Sequence, residues 1–257
     1  MYDTTCELPF DDFVRMAEGT PCRIYASVTE GVGPGLYPSP PVEALRAAVL
    51  IAWQQGVDGI NLYNFNHQIV CDWEPHLQVL GELGDPETLR RRNKLYMVAG
   101  MALSYQGYYY GMDRYSAHPR QLPREVPVGG PGVAVQFRVA DDLSAARGDR
   151  VLESVTLQLD LLYLTGAEDF ELTINGTKIC FADAHFAPSD QHALNWNAEH
   201  GHFTARFDLT RSDSVRQGDN ELRLALQDRP DDIAKSVIFY ALRLEVRYHQ
   251  LPMGTAG

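Results

Sequence analysis

The chain has 257 residues, 45% of them hydrophobic and 22% charged, a composition that can bury the core of one large domain or two ordinary ones. A net charge of −12, shared between the two halves, leaves no basic face for phosphates and excludes nucleic acid as the expected partner. The longest apolar stretch, Ala47 to Trp53, is far too short to span a bilayer, so no membrane partner is expected.

Met1 to Glu7 has no basic region followed by an apolar run, and no secretory signal is expected in this chain. Asp11 to Ala17 opens on acidic residues and runs to Gly19, which predicts a short helix. Cys22 to Val28 is rich in strand formers, and the Gly/Pro segment from Gly31 to Pro41 is loop. Leu45, Val49 and Trp53, with Ala48 and Ala52 beside them, give Val42 to Gln55 helical spacing after Pro41. Gly56 stops that helix and Val57 to Phe65 supplies another strand. Glu74 to Leu80 and Asp85 to Val98 read as two further helices, the second opened by Asp85 as N-cap and Pro86 in the first turn. Strands alternating with helices imply a parallel sheet.

The stretch from Cys22 to Tyr96, with AWQQGVDGINLYNFN and then LGELGDPETLRRRNKLY, resembles the last two βα units of the (β/α)8 barrels in bacterial glycoside hydrolase-like proteins. A full barrel of this type has eight strands and about 250 residues. Residues 1–98 offer two clear strands, so the expectation is an incomplete TIM-type barrel end. Its remaining units then belong to a parent or partner chain, or its sheet is covered by the second half of the sequence. The fragment reading is favoured.

Residues 99–132 form a junction dense in Tyr, Gly and Pro, with Tyr105, Tyr108, Tyr109, Tyr110 and Tyr115 suited to packing between domains. From Val133 the apolar period becomes two. Val133–Val139, Val155–Leu161, Phe170–Ile174, Thr177–Phe181, Phe203–Leu209, Glu221–Leu226 and Leu242–Tyr248 read as strands, with Asn175-Gly176 as a two-residue hairpin turn. Residues 133–250 are therefore expected to form an antiparallel β-sandwich or jelly roll, followed by a tail at 251–257. The fold class is α/β plus all-β. FELTINGTKI followed by RQGDNELRLAL resembles the galactose-binding-like jelly rolls appended to many glycosidases. Asn175-Gly-Thr is also a glycosylation sequon, although the hairpin explains the same residues.

Glu30 follows the strand ending near Thr29, which in a barrel is the carboxyl mouth where active sites lie. In the large retaining clan that this barrel end resembles, the nucleophile comes from strand seven, and Glu30 falls near that position. The acid/base of that clan comes from strand four, which this chain lacks. At the end of the next strand Tyr63, Asn64, Asn66 and His67 can meet sugar hydroxyls, and Trp73 can stack on a sugar ring. Asp72 and Glu74 are fallback carboxylate partners for Glu30. A loop of the sandwich gathers Asp183, His185, Asp190, His192, His200 and His202 around Trp196, but no spacing fixes a metal, and neither metal nor cofactor is expected. Cys6, Cys22, Cys71 and Cys180 form no CxxC pair and read as free buried thiols. The function expected is that of a glycoside hydrolase-like fragment acting on or binding a glycosidic substrate. The alternative is a non-catalytic scaffold or a module that contacts carbohydrate or protein, carrying a degenerate barrel remnant.

Overall fold

A computed structural model describes residues 9–29, 41–63, 79–99, 121–188, 202–230 and 235–249. Most of the described chain is antiparallel sheet. The elements are α1 (Phe10–Ala17), β1 (Tyr25–Thr29), α2 (Val42–Gln54), β2 (Gly59–Tyr63), α3 (Pro86–Leu89), β3 (Lys94–Ala99), β4 (Arg124–Val126), β5 (Val133–Val139), α4 (Leu143–Gly148), β6 (Leu152–Leu162), β7 (Asp169–Ile174), β8 (Thr177–Ile179), β9 (His185–Pro188), β10 (Phe203–Asp208), β11 (Gly218–Asp228) and β12 (Val237–Tyr248). Among the described residues no helix is long and apolar enough to cross a membrane.

The sandwich forms where the period of two predicts it. A six-stranded sheet runs β3-β12-β6-β10-β9, with β4 also paired to β12. A four-stranded sheet runs β5-β11-β7-β8. Val135, Phe137, Leu157, Leu159, Leu172, Leu222, Leu224, Leu242 and Leu244 share one apolar core. Along β5, buried positions alternate with more exposed ones, as expected of a strand packed on one face.

Asn175-Gly176 turns the β7–β8 hairpin with φ of 51° and 79°, the left-handed pair of a type I′ turn. The Asn175 side chain is fully used there. Its Nδ2 donates to the Ser214 carbonyl and to Asn220 Oδ1, both at 2.8 Å, and its Oδ1 accepts from the Glu221 amide at 3.0 Å. Asn175→Ala is expected to cost about 2–3 kcal/mol, from these bonds and from a Cβ held at positive φ. Urea unfolding measures it, and a loss below about 0.5 kcal/mol would mean that the clamp carries no stability.

The N-terminal part is a βαβ unit. β1 and β2 pair in parallel from Tyr25 opposite Gly59 to Thr29 opposite Tyr63. Ala26, Val28, Ile60 and Leu62 face α2, which is buried along Ala44, Leu45 and Ala47 to Ala52. So apolar a helix needs cover on more than one side. It packs on β1–β2 and also against β3 at the edge of the six-stranded sheet, joining the βαβ unit to the core of the sandwich. Gly59 lies beneath the ring of Tyr25, where an added Cβ would stand 2.6 Å from Cε1.

The helix expected over 85–98 is a correction. The Asp85 cap is present, its side chain accepting from the Glu87 amide at 3.0 Å. The helix it opens, however, lasts only from Pro86 to Leu89, and 94–99 is strand β3, paired with β12 from Lys94 opposite Val246 to Ala99 opposite Ala241. A partial TIM-type barrel is not among the observed architectures, since the parallel sheet has two strands among the described residues. Cys22 and Cys180 are exposed free thiols rather than buried ones, and Cys6 and Cys71 lie outside the described residues.

Candidate functional site

The carboxyl ends of β1 and β2 lie side by side, because Thr29 pairs with Tyr63 in a parallel register. This is the end of a parallel sheet at which ligands bind in open α/β folds. Glu30 follows β1 directly in sequence, Tyr63 ends β2, and Asn64 follows it. Glu30, Asn64, Asn66, His67, Asp72, Trp73 and Glu74 lie outside the described residues. The face of the sheet turned away from α2 carries Tyr25, Ser27 and Asn61, with Asn61 Nδ2 donating to Ser27 Oγ at 3.1 Å. Tyr25 is 62% exposed. Parallel strands are normally covered on both faces, and among the described residues no element packs on this one. The turn into β2 is pinned by Asp58, which accepts from the Ile24 amide at 2.8 Å and from Arg23 at 2.7 Å. The backbone donor first, then Arg23, hold its carboxyl below the usual aspartate range.

Of the histidine loop, Asp190, His192, Trp196 and His200 lie outside the described residues. His185 is exposed on β9, whereas His202 is buried, its ring 6.3 Å from that of Tyr240. Among the described residues no three His, Cys, Asp or Glu gather into a metal-binding group.

Two arrangements in the sandwich were missed by sequence reasoning. One is a buried knot. Asp141, just after β5, accepts from Lys94 Nζ at 2.9 Å, Tyr96 OH at 2.6 Å and Tyr248 OH at 2.8 Å. Lys94 also donates to the carbonyls of Arg90 and Arg92. Burial outweighs the pull of Asp141 and holds the Lys94 ammonium below the usual lysine range, while burial first, then Asp141, push the Tyr248 phenol up. Asp141 and Tyr248 reach the wall of a cavity of about 490 Å³ among α2, α3 and α4. Every member of the knot is satisfied from within, so it is scaffold.

The other arrangement is a polar groove of about 450 Å³ on the outer face of the six-stranded sheet. Register places His185, Arg206, Gln158 and Arg243 in one row across β9, β10, β6 and β12. In the adjacent row on the same face, Asp160 Oδ1 accepts from Arg243 at 2.7 Å and from Thr204 Oγ1 at 2.6 Å. At one end Arg247 donates to Glu245 at 2.7 Å through Nε. The signal was in the sequence, as polar and charged residues at alternate positions of VTLQLDLL, FTARFDL and LRLEVRY. Only the strand order brings them together.

No protein-family model matches the chain, and no curated protein matches it. Among solved structures, the chain is matched to a β-porphyranase of glycoside hydrolase family 86 from the gut bacterium Bacteroides plebeius. That match has 16% identity and a TM-score of 0.29 over 50% of this chain and 20% of the other. A β-glucosidase from Paenibacillus barengoltzii matches at 12% identity and a TM-score of 0.21, over 94% of this chain and 25% of the other. The chain thus spans a quarter or less of the length of either enzyme. Both act in carbohydrate chemistry by their descriptions, and likeness at these TM-scores carries no argument about the site.

Proposed function

We propose that this chain is a region of a carbohydrate-active, glycoside hydrolase-like protein, in which β1–α2–β2 belongs to the closing end of a (β/α)8-type barrel ahead of the sandwich. The observation that carries the reading is the parallel, in-register pair β1–β2, whose carboxyl ends adjoin and whose second face has no element packed on it among the described residues. Among the described residues neither strand has a further strand neighbour, and parallel edges of this kind want partners. The sequence resemblance to barrel ends of glycoside hydrolase-like proteins supplies the substrate class.

In this reading Glu30 is the nucleophile or the substrate-binding carboxylate. Tyr63, Asn64, Asn66 and His67 bind sugar hydroxyls and Trp73 stacks on the ring. The acid/base carboxylate comes from strands outside this chain, about 5 Å from Glu30 for retention of configuration and farther for inversion. Asp72 and Glu74 are the partners available within it. A non-catalytic binding role is the second reading, favoured by the polar groove on the sandwich.

A panel of aryl glycosides and polysaccharides, offered to this chain and to Glu30→Gln, separates the two. Turnover lowered by about a thousandfold or more in the variant supports catalysis at Glu30 with a carboxylate partner within this chain, and overturns the acid/base from outside it. Turnover that survives the substitution overturns the assignment. Absence of turnover in both proteins leaves an incomplete site; polysaccharide retained equally by both then supports the binding role, and retention lost in Glu30→Gln supports Glu30 as a substrate-binding carboxylate.

A further inference from the structure

The row His185, Arg206, Gln158 and Arg243 crosses four adjacent strands, about 14 Å at the usual strand spacing. Its charges are unevenly settled. Arg243 is taken by Asp160 and Arg247 by Glu245. Glu43 stands near Arg247 at that end of the groove. Arg206 is different. Among the described residues its guanidinium makes no ion pair, and its Nε is buried without a hydrogen-bond partner. The neighbouring Gln158 amide is likewise unspent among the described residues. Other arginines among the described residues also lack an ion pair; Arg206 is set apart by its place in the groove and by the burial of its Nε. Its planar fork of donors matches the paired oxygens of a carboxylate or sulfate, and an amide alongside adds a third donor.

We propose that this groove binds the carboxylate or sulfate-ester group of an acidic saccharide, with Arg206 as the anchoring cation and Gln158 as the adjoining donor. The anion site is argued from the sheet; that its carrier is a saccharide rests on the carbohydrate reading above. The row then lies along the sugar chain, with His185 and Arg243 flanking the anchored group.

Calorimetry on the full chain at low salt tests this with three probes: oligogalacturonate for carboxylates, sulfated dextran oligosaccharides for sulfate esters, and neutral dextran oligosaccharides. One or both charged probes are expected to bind at least about tenfold more tightly than the neutral one, and more weakly as salt rises. The charged probe preferred names the group recognised. Arg206→Ala is expected to weaken binding about tenfold or more, with Arg206→Lys intermediate. Gln158→Glu, which places a carboxylate beside the fork, should weaken it as much. Thermal midpoints of the Arg206 variants should stay near the parent value, because its guanidinium makes no ion pair among the described residues. Binding of the charged probes that survives Arg206→Ala overturns the proposal. Equal affinity for neutral dextran also overturns it, while leaving the carbohydrate reading standing. Arg206-dependent binding of inorganic sulfate, with no gain from either acidic oligosaccharide, overturns the saccharide as carrier and counts against that reading.

Discussion

Asp141→Ala is expected to destabilise the folded chain by about 3–5 kcal/mol, the cost of leaving one member of a buried ion pair alone. Lys94 sits at 0% side-chain exposure, so water cannot take over the role of the carboxylate. Two phenols, Tyr96 and Tyr248, lose their acceptor at the same time. Asp141→Asn keeps oxygen and shape but gives up the charge, and is expected to cost less than alanine. Lys94→Met combined with Asp141→Ala should recover part of the loss, since an apolar pair leaves no stranded ammonium. Urea unfolding of the four proteins decides it. A loss under about 1 kcal/mol for Asp141→Ala would mean that water or a carbonyl replaces the carboxylate, and that the knot does not hold β3 to the sandwich.

That knot also explains where the sequence misleads. Residues 94–99 read as the end of a helix because Leu95, Tyr96, Met97 and Val98 are all buried, two against each side of the strand, so no alternation marks it. The basic run Arg90 to Lys94 favours a helix locally. What decides the strand is tertiary: pairing with β12, and a carboxylate 47 residues away that receives Lys94. By contrast β5, β7 and β10 to β12 were legible, because strands packed on one face repeat every second residue. α4 was missed since six residues are too few for a helical period, although Asp142 caps it through the Ala145 amide.

The candidate sites divide along the same line. The strand ending near Thr29 was readable from residue types, the next was read as running from Val57 to Phe65 where the described strand is Gly59–Tyr63, and their parallel sense was readable as well. The groove was not readable. Gln158, Arg206 and Arg243 are far apart in the chain and meet only because β6 lies between β10 and β12. Alternation shows which positions share a face of one strand, whereas the neighbours of that strand depend on long-range pairing.

Glu168→Ala is expected to cost a similar 3–5 kcal/mol, for a different balance of reasons. Glu168 and Arg229 are 2% and 4% exposed, with Oε1 and Nε 3.3 Å apart. That contact is electrostatic and poorly aligned, as Arg229 Nε has no hydrogen bond of good geometry. The aligned bonds run elsewhere. Glu168 accepts from the Thr165 amide and hydroxyl, both at 2.9 Å, and from the Gly166 amide at 2.9 Å. Arg229 donates to the carbonyls of Lys235 and Tyr163. The pair therefore ties the β6–β7 turn to the β11–β12 connection beside an apolar cleft of about 960 Å³ lined by Phe170, Phe181, Phe186 and Phe203. Glu168→Gln retains an oxygen for the turn amides and loses the charge. If the turn bonds dominate, it should behave like the parent to within about 1 kcal/mol; if the stranded guanidinium dominates, it should approach alanine. The burial of Arg229 favours the second outcome, because a guanidinium in that position has carbonyls but no counter-charge. Arg229→Met added to Glu168→Gln should then restore stability toward the parent in urea. A double variant no more stable than Glu168→Gln alone would assign the loss to the turn rather than to the charge.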